Sequence, residues 1–364
     1  MNNHVDVCIQ FNNEGICHHC VRYDEMHSAR IANLDNENSA LEKLVNKIKK
    51  DGRNNEYDCI VGISGGVDST YVAYLLKSHG LRPLAVHLDN GWNSELAIIN
   101  IEKTLKKLDI DLYTHVLDWE EFRDLQVSFL KASVADGEVI SDHAQMALLW
   151  SQASSRGIKY IMSGMNFATE SISVPNWAYG HSDWKYIKNV HKKHGKAKLK
   201  SYPYFSIPYL MYVNLFKGVR MVSILNYIDY NKENAMELIK NELEWRYYGG
   251  KHYESVYTKF YQGYYLPKKF NIDKRYGHLS DLISNGQISK SEALEEIKKD
   301  TYLLEEKMAD VEYVKKKLML SDSEFEELIN RQKKTYEDYP NNFKKVQLLK
   351  KIVNFMRSKS LYTK

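Results

Sequence analysis

One short stretch of the chain constrains its fold more than any other, because an apolar run leads directly into a glycine turn and a polar helix start. Residues 60–70 read Ile-Val-Gly-Ile-Ser-Gly-Gly-Val-Asp-Ser-Thr. Gly65 and Gly66 have no Cβ atoms, so successive backbone N–H groups can converge on one anion. Ser64 and Ser69 add hydroxyl groups at a helix N-terminus, where the helix dipole favours negative charge. The pattern predicts a strand, a phosphate-binding loop and a helix.

Asp68 indicates how this loop uses its ligand. A loop that transfers a terminal phosphate has a lysine after its glycines, and this loop has none. A carboxylate in its place is suited to hold Mg²⁺ beside the phosphates of ATP. If the glycines only joined a strand to a helix, neither Asp68 nor the hydroxyl groups would be needed. We therefore expect cleavage between the α and β phosphates of ATP, with release of pyrophosphate.

Strand patterns alternate with helical patterns through the first half of the chain. The apolar runs lie at residues 59–63, 84–88, 112–116 and 160–162. This alternation predicts an α/β fold, with a parallel sheet and helices on both faces. Ligands of such sheets bind at the carboxyl ends of the strands. The stretch that begins at Asp89 and the stretch with Gly164 and Asn166 occupy such ends, so both are expected beside the nucleotide.

The remaining segments suggest a division of the chain into four regions, residues 1–50, 51–200, 201–288 and 289–364. An amphipathic helix is expected at residues 37–50. Charged amphipathic helices follow residue 290, where Ser289 with Glu292 and Ser321 with Glu324 fit capping boxes.

The C-terminal stretch has an unusual charge pattern. Residues 341–364 contain seven Lys or Arg residues and no acid, interleaved with apolar residues. A basic amphipathic helix of this kind docks on a membrane face, on an acidic partner or on its own protein.

The composition indicates the cellular compartment of the protein but says little about its partners. Four cysteines in 364 residues do not make a disulfide framework. The chain has no apolar run long enough to span a bilayer and no secretion signal, so we expect a cytosolic protein. A net charge of +4 is weak evidence for a polyanionic partner.

A Cys-x-x-Cys pair near the N-terminus is a candidate metal site. Cys17 and Cys20 supply half of a tetrahedral zinc site. Candidates for the other ligands are Cys8, His18, His19 and His27. A reduced pair without metal is an equal alternative.

Residues 244–275 combine cations, hydroxyl groups and aromatic rings with two adjacent glycines and a proline. A solvated helical face does not need this combination. The cations are suited to offset charge on a leaving pyrophosphate or to bind a substrate carboxylate. The candidate side chains are Lys251, His252, Glu254, Ser255, Thr258, Lys259, Lys268, Lys274 and Arg275. The alternatives are a charged segment exposed to solvent and, for the clustered tyrosines, simple packing.

The Ser-Gly-Gly-x-Asp-Ser motif resembles the PP-loop ATP pyrophosphatase (adenine nucleotide alpha hydrolase-like) family, which adenylates an oxygen and lets a nucleophile displace AMP. Nearly the whole chain resembles the N-acetyl sugar amidotransferases of bacterial surface-glycan and lipopolysaccharide biosynthesis, which have this fold. The Tyr-Gly-Gly-Lys-His-x-Glu-Ser and Asp-Lys-Arg stretches carry that resemblance, with residues 142–144, 163–171 and 182–184. The resemblance implies conversion of an acetamido group into an acetamidino group with ATP and ammonia.

The resemblance also implies roles for the matching residues. ATP phosphates would bind Ser64, Gly65, Gly66, Asp68 and Ser69, while Gly164 and Asn166 would line the nucleotide side of the cleft. Mg²⁺ would bind Asp68 and Asp142. The sugar would meet Thr169, Glu170, Lys185, His252, Glu254, Ser255 and Lys259. Phosphates or a substrate carboxylate would bind Lys251, Lys274 and Arg275.

Two further expectations concern partners and zinc. Free ammonia is scarce at neutral pH, and the chain has no cysteine nucleophile elbow of its own. The resemblance suggests a glutaminase subunit and a cyclase-like subunit, similar to those of imidazole-glycerol-phosphate synthase. Family members commonly carry two Cys-x-x-Cys pairs, and this chain has only the second.

Two other interpretations remain open at this point. A PP-loop enzyme that modifies tRNA, for example by thiolation, would need a strongly basic face. A protein that binds ATP without turnover would not need Asp68. Release of pyrophosphate on addition of a sugar, and not of tRNA, separates the three.

Overall fold

The structure is a computed structural model that describes residues 1–3, 5–34, 37–172, 174, 177–251, 253–348 and 351, the side chains of residues 29–39 excepted. His252 and most of the predicted C-terminal basic helix lie outside the described residues. In the described part, no helix is both long and apolar enough to cross a membrane.

A five-stranded sheet forms the centre of the chain, and all of its strand pairs are parallel. The strands are β1 (Cys59–Gly62), β2 (Pro83–Asp89), β3 (Leu112–Val116), β4 (Tyr160–Ser163) and β5 (Arg220–Ser223). Their order in the sheet is β3-β2-β1-β4-β5. The predicted parallel α/β sheet is confirmed, and four of its strands lie where the sequence indicated. The short fifth strand has no fully buried residue, so it carries no strong apolar pattern.

Fifteen α-helices surround the sheet or follow it in the described part of the chain. They are α1 (His18–Leu34), α2 (Glu37–Gly52), α3 (Val67–Ser78), α4 (Glu95–Leu108), α5 (Trp119–Ala132), α6 (Val139–Ser155), α7 (Phe167–Glu170), α8 (Trp184–His194), α9 (Ile207–Phe216), α10 (Lys232–Leu243), α11 (Val256–Phe260), α12 (Arg275–Ser284), α13 (Lys290–Lys298), α14 (Leu304–Leu318) and α15 (Asp322–Asn330). A π-helix, Tyr261–Phe270, continues α11, and 3-10 turns lie at Ile224–Tyr227 and Tyr336–Asp338.

Both faces of the sheet are buried, because neighbouring residues of each strand point to opposite faces. Val61 belongs to one core with residues of α2, α3 and α4, whereas Ile60 belongs to another with residues of α6. The predicted helix at residues 37–50 is present as α2, and its buried residues Leu41, Val45 and Ile48 lie on one face.

The C-terminal helices pack on the tyrosine-rich segment. Tyr257, Tyr261 and Tyr265 are buried in one core with residues of α14 and α15, so the interpretation of these rings as packing is confirmed. Capping boxes begin α13 and α15 at Ser289 and Ser321, as predicted.

Candidate active site

The loop between β1 and α3 has the backbone geometry that the glycines predicted. Gly65 has φ of +78°, and a Cβ atom there would lie 2.5 Å from the backbone oxygen of Ala97. The indole of Trp245 donates a hydrogen bond of 2.8 Å to the carbonyl oxygen of Gly65. Only glycine fits this position without a shift of the backbone.

The predicted hydroxyl groups of the loop lie together. The hydroxyl oxygens of Ser64 and Ser69 are 3.2 Å apart. The backbone N–H of Gly66 donates to the Ser64 hydroxyl at 3.3 Å, and the Ser69 hydroxyl donates to the carbonyl oxygen of Gly66 at 3.3 Å. The N–H groups and hydroxyl groups of the loop therefore lie together at the start of α3, the end of a helix that favours anions.

The stretch after β4 meets this loop from the other side. A Cβ atom on Gly164 would lie 3.2 Å from both the Cβ atom of Asp68 and the backbone nitrogen of Ser69. Asn166 accepts a hydrogen bond from the backbone N–H of Thr169 at 2.9 Å and begins α7. The sheet order reverses between β1 and β4, and ligands of open α/β sheets bind in the crevice at that place.

Asp68 lies in a compact group of charged and phenolic side chains. The phenol of Tyr230 donates a hydrogen bond to its carboxylate. Burial raises the pKa of Asp68, Glu170 raises it further, and Lys232, Tyr230 and Lys251 act in the opposite direction, with the net shift upward. Asp68 is therefore close enough to Glu170, Lys232 and Lys251 for their charges to act on it.

Lys232 is a member of this group that the sequence did not single out. It lies in the first turn of α10, next to the capping residue Asn231. Burial lowers the pKa of Lys232, while Asp68 and Glu170 raise it. A lysine in the first turn of a helix gives no functional signal by itself, and only the packing of α10 against α3 brings it to the loop.

Lys251 links the group to α7 and α12. Its ammonium nitrogen lies 3.2 Å from the carboxylate of Glu170. The carbonyl oxygen of Thr169 and the Nδ1 atom of His278 are each 3.3 Å away. The Thr169 side chain is fully buried, and its hydroxyl donates to the side-chain oxygen of Asn166, the residue that begins α7. Its contact with a sugar stays a prediction.

Glu254 and Ser255 hold the later part of the chain against the loops of the sheet. The backbone N–H of Ser94 donates to the carbonyl oxygen of Glu254 at 2.9 Å. The backbone N–H of Val256 donates to the carbonyl oxygen of Trp92, also at 2.9 Å. The hydroxyl of Ser255 caps α11. A Cβ atom on Gly66 would lie 3.3 Å from the Glu254 carboxylate, which places Glu254 directly over the glycine loop.

Asp89 shapes the loop after β2. Its carboxylate accepts a hydrogen bond of 2.8 Å from the N–H of Gly91 and one of 3.4 Å from the amide of Asn93. Its contact with a nucleotide stays a prediction.

Asp142 and Lys274 belong to a second charged cluster at the start of α6. His181 lies 3.2 Å from the carboxylate of Asp142 and 3.5 Å from that of Asp136, and Lys274 lies 3.5 Å from Glu138. Burial opposes protonation of His181, but the two aspartates prevail and raise its pKa to about 9. Burial raises the pKa of Asp136 to about 6.

This second cluster also faces the carboxyl edge of the sheet. A helix that leads into a parallel strand runs against the strand direction, so α6 begins at that edge. The amide of Asn90, which follows β2, donates to the hydroxyl of Ser141 at 3.2 Å. Roles of Asp142 at Mg²⁺ and of Lys274 at an anion stay predictions.

Three other predicted residues have partners within the protein. Arg275 pairs with Asp273 at 2.8 Å and donates to two backbone carbonyl oxygens near the end of α13. Lys259 lies 2.9 Å from Glu306 and 3.3 Å from Asp310. Lys185 donates to the carbonyl oxygen of Asn341. The structure does not bring these three cations to Asp68, and their roles toward substrate stay predictions.

The N-terminal segment has two neighbouring groups of candidate metal ligands. The sulfur atoms of Cys17 and Cys20 are 3.4 Å apart, and burial raises the pKa of Cys20 to about 11. Asp6, His18 and His19 form a separate group with ligand atoms within 4.8 Å of one another. Within the described residues, no third ligand joins the two thiols, so a zinc site stays a prediction.

Comparison with known proteins finds a similarity for the later part of the chain. Residues 254–353 match the family model described as "LPS biosynthesis protein WbpG-like, C-terminal domain". No curated protein matches the chain.

Solved structures resemble the fold only distantly. An NH3-dependent NAD synthetase from Campylobacter jejuni is 16% identical, covers 57% of this chain and 87% of its own, and has a TM-score of 0.31. An NMN synthetase from Francisella tularensis is 14% identical, covers 71% of this chain and 95% of its own length, and has a TM-score of 0.35. A predicted tRNA methyltransferase subunit from Methanocaldococcus jannaschii is 14% identical, covers 50% of this chain and 72% of its own length, and has a TM-score of 0.24.

The assignment of the fold rests on the chain's own strand order and loop, since likeness at this level carries no argument about activity. The chain thus has a parallel α/β sheet with a glycine loop after β1, and its residues 254–353 are similar to the C-terminal domain of WbpG-like LPS biosynthesis proteins.

Proposed function

We propose that this protein is an ATP-dependent amidotransferase of lipopolysaccharide or other bacterial surface-glycan biosynthesis. It would adenylate the acetamido oxygen of an N-acetylated sugar acid and replace that oxygen with nitrogen from ammonia. AMP, pyrophosphate and an acetamidino sugar would be the products, formed in the cytoplasm.

One observation carries the proposal: the WbpG-like domain begins directly over the phosphate loop. Glu254, its first residue, lies against Gly66, and its backbone pairs with the stretch after β2. A segment that is similar to a domain of LPS biosynthesis proteins therefore lies beside a loop whose residues suit the phosphates of ATP. This arrangement favours a sugar substrate over a tRNA base.

Adenylation would make the acetamido group reactive enough for attack by ammonia. An amide carbon is a poor electrophile and its oxygen is a poor leaving group, so ammonia alone attacks slowly. In the proposed first step the acetamido oxygen attacks the α-phosphorus of ATP, and the bond to pyrophosphate breaks. Ammonia then attacks the amide carbon, the carbon–oxygen bond to AMP breaks, and loss of a proton leaves the amidine.

The described residues supply the charges that these steps need. Lys232 and Lys251 can offset negative charge on the leaving pyrophosphate. N–H groups and hydroxyl groups of the loop can bind phosphate oxygens. Each stabilises charge at the place where it develops, without rearrangement of solvent.

A divalent cation fits the same group of residues. Asp68 and Glu170 both lie near Lys251, and the negative charge of Glu170 acts to raise the pKa of Asp68. Hard oxygen ligands of this kind suit Mg²⁺. Asp68 and Glu170 would hold Mg²⁺, and the ion would neutralise charge on the phosphates when bound.

Ammonia would come from a separate subunit. We propose a glutaminase subunit together with a cyclase-like subunit as partners, because a closed path protects ammonia from protonation in water. The substrate would be a diacetamido sugar acid, either nucleotide-linked or with nine carbons.

Pyrophosphate release tests the proposal. The purified protein is given ATP, Mg²⁺ and ammonium chloride, with and without a panel of diacetamido sugar acids, and products are analysed by mass. We expect pyrophosphate only with the right sugar, and a mass fall of about one unit as oxygen is exchanged for NH.

The variant Asp68→Asn should lose at least about a hundredfold of this activity, because it removes a carboxylate that would hold the Mg²⁺ which neutralises charge on the phosphates. The matched control is Asp322→Asn, since the Asp322 side chain is 88% exposed on α15. Pyrophosphate release with tRNA but with no sugar would refute the proposal.

A further inference from the structure

A basic groove lies between α8 and α9 and has a volume of about 690 Å³. Apolar side chains such as Trp184 and Met211 line it. Four lysines line it as well: Lys185, Lys188, Lys192 and Lys345. No acidic residue is among its lining residues in the described part of the chain. The groove therefore has an uncompensated positive charge beside an apolar surface.

Two acid-free segments of the sequence meet at this groove. Residues 184–228 contain nine Lys or Arg residues and no Asp or Glu, and residues 341–364 contain seven and none. Asn342 and Lys345 of the second segment line the groove formed by the first, and Lys185 donates to Asn341 at 3.2 Å. Four lysines and no acid line the groove in the described part of the chain, whereas the whole chain has a net charge of only +4, so the groove is more basic than the chain as a whole.

An apolar stripe lies on α9, next to the groove. Met211, Tyr212, Leu215 and Phe216 are 46%, 49%, 54% and 79% exposed. They share one side of the helix by their spacing, while Val213 is fully buried. Adjacent large apolar residues exposed in this way mark an interaction surface.

We propose that this face, the groove together with the α9 stripe, docks on a bilayer surface rich in anionic phospholipid. Lysines around apolar and aromatic side chains are the combination that binds the boundary between headgroups and acyl chains. The groove lysines would meet lipid phosphates, and Leu215 and Phe216 would enter the boundary region.

Charge and residue type favour this occupant over two others. The chain's own residues 352–364 carry Arg357, Lys359 and Lys364 and no acid, so the basic groove would repel them. Single-stranded RNA is bound by stacking on aromatic rings with help from arginine. Among the described residues that line the groove, every cation is a lysine and Trp184 is the one aromatic ring, and the stripe includes the aliphatic Met211 and Leu215.

Flotation with vesicles tests the inference. The full chain is mixed with vesicles of phosphatidylethanolamine and phosphatidylglycerol, or of phosphatidylcholine alone, at low and at physiological salt. We expect flotation with the anionic vesicles only, and less of it as salt rises.

The triple variant Lys188→Ser, Lys192→Ser, Lys345→Ser removes three of the groove lysines. Each lysine close to an anionic surface contributes about fivefold, so their loss should lower partitioning about a hundredfold at low salt. The matched control is Lys290→Ser, Lys298→Ser, Lys299→Ser, which removes the same charge from α13 and the residue that follows it and should float like the parent protein.

A second variant, Leu215→Ser with Phe216→Ser, changes the exposed stripe and should also reduce flotation. Thermal unfolding identifies any variant that fails to fold. Flotation that is equal for both triple variants would overturn the inference. Displacement of the protein from vesicles by tRNA but not by free phospholipid would overturn it in favour of a nucleic-acid surface. A dimer that the stripe variant converts to a monomer would mark the stripe as a subunit contact instead.

Discussion

Substitution of Gly65 by alanine tests the geometry of the phosphate loop most directly. Two separate penalties act at this position. Alanine at φ of +78° costs about 1–2 kcal/mol, because its Cβ atom crowds the backbone in the left-handed region. The same Cβ atom would also stand 2.5 Å from the backbone oxygen of Ala97, and relief of such an overlap costs about 1–3 kcal/mol.

Gly157→Ala separates the two penalties. Gly157 has φ of +69°, and nothing lies within 4 Å of a Cβ atom there. This control therefore pays only the conformational penalty. We expect Gly65→Ala to lower the free energy of unfolding by about 1–3 kcal/mol more than Gly157→Ala does.

Urea unfolding followed by circular dichroism gives the stability of both variants, and isothermal titration gives their affinity for ATP. Only Gly65→Ala should weaken ATP binding, since the shift that relieves the overlap moves the N–H groups of the loop. Equal destabilisation by both substitutions, with ATP affinity unchanged in Gly65→Ala, would refute the loop geometry and its role.

Three further predictions address charge and capping. Lys232→Ala should weaken ATP binding about tenfold or more through loss of a half-buried cation, while Lys240→Ala, exposed on the same helix, should not; titration calorimetry compares the two variants. His181 has its pKa raised from 6.5 to about 9, so its stabilisation is complete below pH 6.5 and is lost as the pH rises through 9. The urea midpoint of the parent protein should fall as the pH rises from 6.5 to about 9, and that of His181→Gln should fall less. The same dependence of the midpoint on pH in both proteins would contradict the raised pKa of His181. Ser321→Ala should cost about 1 kcal/mol by removing the α15 cap, and Ser323→Ala, without a cap role, should cost clearly less in the same unfolding assay.

Local patterns were sufficient for the sheet and its loop. The apolar runs predicted β1 to β4, and the two glycines with Asp68 predicted the turn between β1 and α3. Capping boxes at Ser289 and Ser321 were equally readable. Each of these features depends on residues a few positions apart, whose conformational preferences act within a single turn or strand.

Cations were harder to assign from sequence. Lys251, Lys259, Lys274 and Arg275 looked equivalent as candidates, yet in the structure only Lys251 joins Asp68. The other three face carboxylates or carbonyl oxygens of their own surroundings. A long cationic side chain reaches whichever partner the fold brings near, so residue type alone does not choose between substrate and ion pair.

The sequence by itself determined the kind of sheet, the place of the phosphate loop and the helix starts, because these follow from local periodicity and turn chemistry. Only the tertiary structure decided which side chains share the cleft. Tyr230 and Lys232 reach Asp68 across more than 160 positions of sequence, and Glu254 reaches Gly66 in the same way. Such contacts depend on how α10 and the WbpG-like domain pack on the sheet, and burial of their apolar faces fixes that packing without leaving a motif in the sequence.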